Sequence, residues 1–252
     1  MKKILIILFI TSISSTLFAQ EEGKSSKPDI PGTLLIDLGF NFLNNAPESM
    51  DTKFFGSKTI NLYYQYEFPI GESKFSFNPG IGIGVDKYSF DKPVGIFNSA
   101  EEIITGTGDD QVTTYNHSVS IESLANNFPR ASSFDKSSLS VTYLDVPLEF
   151  RFNTNPDDKS RSFKVGLGAR IGLRLSSKAK VKYKEDGNTV RFKNKQNFDM
   201  NSLRYGASAR VGIGWFNLFY YHNLSDLFKT AKGPTPDTAI TNYTVGLTIS
   251  GF

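Results

Sequence analysis

Charged residues of both signs share one alternating face along two neighbouring stretches of the chain, where they could carry protons or ions. They alternate with apolar residues in YLDVPLEFRF and then in FKVGLGARIGLR: Asp145, Glu149, Arg151, Lys164, Arg170 and Arg174. If the two stretches pair as strands, Asp145 lies opposite or diagonal to Arg170. Glu149 then lies within cross-strand reach of Lys164. The same pattern elsewhere adds four more charges to this predicted network: Asp37, Glu67, Arg204 and Arg210.

Two interpretations of this network stay open. The carboxylates and guanidinium groups could form a gated path for protons or ions, or they could satisfy each other and plug the space that they occupy. The plug is the interpretation that we favour, because a barrel of eight strands leaves no wide aqueous channel.

Histidine chemistry has few candidates, because the chain contains two histidines and no cysteine. His222 is followed by Asn223, Ser225 and Asp226, a grouping that could serve a lipid-active enzyme. The alternative is a polar residue at the end of a strand. His117 lies far away in a long loop, so the two histidines do not suggest a metal site. We therefore predict no catalytic residue, no metal and no cofactor.

Two long segments between the strand patterns carry opposite charge. Residues 88–137 are mainly acidic and residues 176–200 mainly basic, and KVKYKEDGNTVRFK predicts a β-hairpin that turns at Asp186 and Gly187. Opposite charges could simply hold the two loops together, or they could form a docking surface for a protein or for lipopolysaccharide phosphates. The candidate docking residues are Lys180, Lys182, Lys184, Arg191, Glu101, Glu102, Asp109 and Asp110.

The elements that position these residues are strands, because hydrophobicity alternates with a period of two from residue 34 to the end of the chain. Eight strands are predicted, at Leu34–Phe42, Ile60–Phe68, Phe75–Val85, Leu139–Phe152, Phe163–Leu173, Leu203–Ile213, Trp215–Leu224 and Tyr243–Ile249. The facing of Trp215–Leu224 stays open, because both of its faces are aromatic. Short and long connections alternate, which in an up-and-down meander places all long loops at one end.

The polar face decides between a soluble barrel, with its apolar residues inside, and a membrane barrel, with its apolar residues outside. In VGLGARIGLR, from Val165 to Arg174, the polar face consists of glycine and arginine. Rows of glycine weaken a strand on a surface exposed to water, but inside a narrow barrel they leave room for long side chains. We therefore predict an all-β, eight-stranded antiparallel up-and-down transmembrane β-barrel that contacts outer-membrane lipid.

The first residues, MKKILIILFITSISSTLFAQ, have the basic start, apolar stretch and small residue at the cleavage position that are typical of a secretory signal peptide. The predicted organisation is a signal peptide at 1–19, a polar tether at 20–32 and a barrel at 33–252. Without the leader the chain is close to neutral, which gives no argument for nucleic acid as a partner.

YLDVPLEFRF, GLGARIGLRL and the closing strand that ends in Phe252 resemble the PorT-like outer-membrane β-barrel family. The resemblance covers most of the mature chain and implies an eight-stranded barrel in the outer membrane of a Gram-negative cell. Some members of that family assist protein secretion. The apolar positions of the closing strand, from Tyr243 to Ile249, are out of phase with Phe252, which predicts a bulge near Gly251.

Three functions compete at this point. The leading hypothesis is a non-enzymatic barrel that docks a protein partner through long charged extracellular loops, as an accessory of an envelope or secretion complex. The second is a narrow pore or gated conduit, and the third is a lipid-active enzyme centred on His222.

Overall fold

Residues 32–105, 112–156, 158, 161–235 and 237–250 are described by the structure, a computed structural model. Within these residues the strands are β1 (Thr33–Asn44), β2 (Lys58–Gln65), β3 (Phe68–Pro69), β4 (Phe75–Phe90), β5 (Val94–Thr105), β6 (Val112–Ser123), β7 (Ser133–Asn153), β8 (Phe163–Glu185), β9 (Asn188–Asn194), β10 (Leu203–Ile213), β11 (Phe216–Asn223) and β12 (Thr241–Ser250). The short helices are Glu48–Met50, Phe54–Gly56 and Leu124–Asn127. None of the helices in the described part of the chain has the length and apolarity needed to span a membrane. The predicted signal peptide and the bulge near Gly251 lie outside the described residues.

Eight of these strands close into an antiparallel barrel. The order of neighbours is β10, β11, β12, β1, β2, β4, β7 and β8, and β8 pairs back onto β10 from Phe163 opposite Ile213 to Leu173 opposite Leu203. Every backbone group along the ring therefore has a partner strand, which a lipid environment requires. The predicted fold class and its eight strands are confirmed, although β7 and β8 continue well beyond their predicted ends.

The barrel wall is apolar on its outside. Large apolar side chains point outward and are exposed, among them Leu62, Ile83, Leu167 and Leu218, while the residues between them point inward. The facing of β11 is now settled: Phe216, Leu218 and Tyr220 point outward, and the buried side chains alternate with them. The barrel thus presents an uninterrupted apolar band to lipid.

Aromatic side chains flank this band at both ends. Ring pairs at the short-turn end, with their centroid distances, are Tyr66–Phe68 (4.6 Å), Phe75–Phe152 (5.2 Å) and Phe77–Phe150 (4.9 Å). Ring pairs at the long-loop end are Phe40–Phe54 (4.5 Å) and Phe42–Tyr243 (4.9 Å). Aromatic girdles of this kind mark the two interfaces of a bilayer.

A β-bulge on β8 marks the point where the barrel leaves the apolar band. The register between β7 and β8 shifts at Thr142/Tyr143, where Leu175 is the extra residue of β8. Below the bulge, apolar residues such as Leu173 point outward. Above it the pattern is inverted: Lys178 and its alternate neighbours point outward, whereas Ala179, Val181 and Tyr183 are buried. An apolar interior with a polar exterior is the arrangement expected in water.

The segment above the bulge contains strands and a helix that the period-two pattern of the sequence did not predict. Residues 88–137, treated as a loop, contain the hairpin of β5 and β6, the helix Leu124–Asn127, and the extended ends of β4 and β7. The predicted hairpin between β8 and β9 is confirmed, and its turn residues Asp186 and Gly187 have φ angles of 49° and 76°. Positive φ at both turn residues is what an Asp-Gly hairpin turn provides. We refer to residues 94–105, 112–142 and 176–194 as the crown.

Candidate functional site

The inward face of the barrel holds a charged interior in which the two signs balance. Four carboxylates and four guanidinium groups are buried or nearly so: Asp37, Asp86, Asp145, Glu149, Arg151, Arg170, Arg204 and Arg210. A buried charge is strongly unfavourable unless it is paired and hydrogen-bonded, so the partners of each group decide what the site can do.

Arg204 organises the half of the network that lies nearer the long-loop end. Its Nε and Nη2 donate to the two oxygens of Asp145 at 3.0 and 2.5 Å, a bidentate fork, and its Nη1 donates to Asp86 Oδ2 at 2.6 Å. The Tyr63 hydroxyl also donates to Asp145, at 2.8 Å. The guanidinium carbon lies 3.7 Å from the centroid of the Tyr143 ring. One cation from β10 thus links carboxylates of β4 and β7.

Glu149 organises the other half, nearer the short turns. Its carboxylate accepts from Arg210 and, at 2.8 Å, from Nε of Arg151. Arg210 also contacts Asp37 at 3.2 Å, and Arg151 Nη2 donates to Gln65 Oε1 at 2.9 Å. These contacts join β1, β2, β7 and β10 across the interior.

Arg170 lies between the two halves. Its Nη2 is 3.6 Å from Asp37 Oδ2, and its guanidinium carbon is 5.1 Å and 4.2 Å from the ring centroids of Tyr63 and Tyr221. Stacking of a guanidinium on aromatic rings adds cation–π attraction to the ion pair. The interior is therefore cross-linked along its length.

The predicted pairings across β7 and β8 are only partly the ones observed. Asp145 is diagonal to Arg170, as predicted, since it lies opposite Gly172, but its carboxylate binds Arg204. Glu149 lies opposite Gly168 and binds Arg151 and Arg210 rather than Lys164. The side chains reach across the lumen, so their partners come from strands that are not adjacent.

Three residues of the predicted network lie at its margins. Lys164 Nζ donates to the Gly214 carbonyl at 3.0 Å, and Glu67 accepts from Asn153 at 3.4 Å, both at the short-turn end. Arg174 is next to the bulge, where its Nε donates to the carbonyl of Asn201 at 3.2 Å. Arg174 therefore supports a loop backbone instead of a luminal carboxylate.

Sequence analysis did not assign Asp86, Tyr63, Tyr143 or Tyr221 to this network. Their position in the alternation could have identified them as inward-facing residues. Asp86 shares a face with the glycines of β4, and Tyr143 shares a face with Asp145. The tyrosines were missed because their rings also suit a lipid-facing surface.

Glycines of β8 leave the space that the buried charges fill. A Cβ atom at Gly172 would lie 2.2 Å from Asp145 Oδ1 and 2.9 Å from Arg204 Cγ, and one at Gly166 would lie 2.6 Å from Glu149 Oε1. The fork between Arg204 and Asp145 thus depends on the absence of a side chain at Gly172.

We expect Gly172→Ala to lower the free energy of unfolding by about 1–3 kcal/mol, because the added methyl group must displace the fork. Equilibrium unfolding by guanidinium in lipid vesicles measures this. The control is Gly233→Ala, whose added Cβ would lie 3.0 Å from Phe228 Cβ, a less severe contact than at Gly172, and which should have a smaller effect. Equal stability of Gly172→Ala and the unmodified protein would contradict the packing described above.

His222 is on the outer side of β11, away from the charged interior. Its Nδ1 is 3.1 Å from the Tyr220 hydroxyl, and the two rings stack. The Ser225 hydroxyl donates to Asn223, so the described contacts do not join it to His222. Within the described ranges, no group of three or more His, Asp or Glu side chains is arranged to hold a metal ion.

The basic half of the predicted docking residues lies on the described strands of the crown. Lys180, Lys182 and Lys184 project from the outer side of β8, and Arg191 from β9. Lys182 binds Asp135 at 2.8 Å, and its hydrogen bond holds the pKa of that carboxyl below its ordinary value. The side chains of Glu101, Glu102, Asp109 and Asp110 lie outside the described residues.

Apolar contacts, beside the ion pair of Lys182 with Asp135, hold the described parts of the crown together. Phe128, next to the short helix, lies 4.8 Å from the Tyr183 ring of β8 and 5.3 Å from the Phe192 ring of β9, centroid to centroid. Leu124 and Val181 are buried in the same cluster, and Phe97 of β5 packs against it. The two charged segments therefore form one packed unit.

Similarity to known proteins extends over most of the chain. The sequence profile described as outer membrane protein beta-barrel domain matches residues 18–229. No curated protein matches the sequence. Two solved structures that align are those of Ail, the attachment invasion locus protein of Yersinia pestis, alone and with the heparin analogue sucrose octasulfate. The first is 14% identical, covers 87% of this chain and 97% of Ail, and has a TM-score of 0.36. The second is 15% identical, covers 88% and 100%, and has a TM-score of 0.33.

Proposed function

The chain belongs to the outer membrane protein beta-barrel domain family, and from that premise we propose that it is a non-enzymatic barrel that docks a protein partner through its crown. The apolar band lies in the outer membrane, against lipid. Long loops of such barrels face the cell exterior and short turns face the periplasm, which makes the crown extracellular. The narrower PorT-like assignment, with a signal peptide at 1–19 and a tether at 20–32, is part of this proposal.

The observation that carries the proposal is that the crown is a packed unit with its own apolar core. Ile96 of β5 and Val119 of β6 are buried in one cluster with Leu139, Val141 and further side chains of the barrel rim. A surface that is already ordered loses little conformational entropy when a partner binds, so it binds more tightly than a flexible loop of the same composition.

The charged interior supports docking over conduction. Its eight buried charges compensate each other, and the gaps beside Arg151 and Lys164 at the short-turn end have volumes of about 60 and 10 Å³. A single water molecule needs a cavity of about 10 Å³, so these gaps hold a few water molecules at most. A lumen filled in this way is a plug, and it leaves the crown as the part of the protein available to a partner.

The test is a pull-down from isolated outer membranes in gentle detergent, with the crown shortened at two positions. Val94 pairs with Ser123, and Ala179 pairs with Asn194, so an Asn-Gly turn can replace residues 95–122 and residues 180–193 while the remaining strands stay paired. We expect a stoichiometric partner to be recovered with the intact protein and lost from the shortened one.

The control shortens a turn at the opposite, periplasmic end by replacing residues 155–161 with Gly-Ser-Gly. This variant should retain the partner, because Thr154 and Phe163, which bond to each other beside this turn, lie at the end of the barrel away from the crown. Recovery of the same partner with the shortened crown would contradict the proposal. So would the absence of a stoichiometric partner from the intact protein when chemical crosslinking precedes extraction.

A further inference from the structure

Lysines occupy the outer wall directly above the apolar band. Lys58, Lys87 and Lys178 lie in one cross-strand row on β2, β4 and β8. The row beneath it on β2 and β4 holds Ile60 and Val85, which are exposed on the lipid-facing side. The lysine row therefore lies at the height where the hydrocarbon ends and lipid head groups begin.

A concavity of about 460 Å³ opens on this wall between β4, β7 and β8. Five lysines line it, together with four hydroxyl side chains of β7 and β8 and, at its lower edge, Val85. The lysines are Lys87, Lys136, Lys178, Lys180 and Lys195. Ammonium groups and hydroxyls are hydrogen-bond donors, so the lining can satisfy several oxygens of one anion.

No described carboxylate compensates the positive charge of this concavity. Among the described residues, no carboxylate lies within 4.0 Å of any of the five lysines, and the nearby Asp135 binds Lys182. Lys87 of β4, Lys136 of β7 and Lys180 of β8 lie together in this lining. Like charges at such short range repel, so a bound anion would relieve repulsion that is present in the protein alone.

We propose that the lysine concavity binds the phosphate groups of the glycolipid in the outer leaflet of the membrane. Its lysines point sideways from the wall, toward lipid, and Val85 beneath them lies where the acyl chains of the same lipid would pack. A soluble partner that approached along the membrane normal would meet the tip of the crown before this wall. The proposal goes beyond the docking function, since it concerns a lipid at the side of the barrel and the base of the crown, whereas the docking function concerns a protein partner.

The test measures the affinity of the full-length barrel, in detergent micelles, for lipid A that carries both phosphates and for lipid A from which the phosphates have been removed. The variant K87Q/K136Q/K178Q should bind phosphorylated lipid A at least about tenfold more weakly, because one hydrogen bond between charged groups contributes about that factor. The dephosphorylated lipid should bind the intact protein and the variant equally weakly.

The matched control is K53Q/K92Q/K229Q, which removes the same charge from exposed lysines that already lie within 3.9 Å of carboxylates. It should leave the affinity unchanged. An equal loss in this control, equal affinity for both forms of lipid A, or full displacement of lipid A by millimolar inorganic phosphate would each overturn the proposal. If the triple variant does not fold, Lys87→Gln and Lys178→Gln alone should show the same order of affinities with smaller losses.

Discussion

Replacement of Arg204 by methionine is expected to lower the free energy of unfolding by about 3–5 kcal/mol, because it leaves two buried carboxylates without their cation. Asp86 and Asp145 both lose their ion pair, and the side chains of both are buried. Equilibrium unfolding in lipid vesicles, followed by tryptophan fluorescence or by the mobility of the folded form on a gel, measures the loss.

Two controls separate the effect of the unpaired charge from the effect of the lost side chain. The variant R204M/D86N/D145N removes all three charges while nearly preserving side-chain volume, and it should recover most of the stability. Lys182→Met breaks the exposed ion pair with Asp135 and should cost far less than Arg204→Met. A small loss for Arg204→Met itself would contradict the burial of the network.

Replacement of Leu167 by arginine is expected to lower the free energy of unfolding by about 2–4 kcal/mol, the range for a cation on the lipid face near the midplane of a bilayer. Leu167 is 63% exposed and lies on β8 between the two aromatic girdles. The same measurement in vesicles gives the loss, and the same protein in a micelle of short-chain detergent should show a smaller one.

The control for Leu167→Arg is Phe163→Arg, at the first residue of the same strand. Phe163 also points outward but lies at the short-turn end, where the arginine can reach the interface and the expected loss is about 0–1 kcal/mol. Equal losses at the two positions would show that the band between the girdles does not lie in the hydrocarbon.

The barrel itself could be predicted from the sequence because alternation assigns each residue of a strand to one of two faces. Once glycine and arginine were placed inside, as in Gly172 and Arg170, the outward face followed for every membrane-spanning strand except Trp215–Leu224, which is aromatic on both faces. The close approach of Asp145 to Gly172 is the physical reason for that pattern.

The contacts inside the barrel could not be predicted in the same way. Sequence patterns identify neighbouring strands, whereas Arg204 binds Asp86 from a strand three positions away around the ring. Which strand a long side chain reaches depends on the diameter of the barrel and on the bulge at Leu175, neither of which alternation encodes. The partners of Glu149 were missed for the same reason.

Apart from the hairpin of β8 and β9, the crown escaped prediction because its alternation is inverted. Apolar residues point outward in the membrane and inward above it, so Val141 and Leu144 lie on opposite faces of β7 although both are apolar. The hairpin of β5 and β6 offered a weaker signal, two runs rich in β-branched residues on either side of GTGDD. Its polar residues made it resemble an irregular loop.

We propose that the lumen is filled, so that function lies on the outside of the protein. Single-channel recording of the purified barrel in a planar bilayer tests it most directly. We predict a conductance indistinguishable from that of a protein-free bilayer, at any voltage that the membrane tolerates. Reproducible conductance steps that change in Arg204→Met would contradict the claim and assign the charged interior to ion passage.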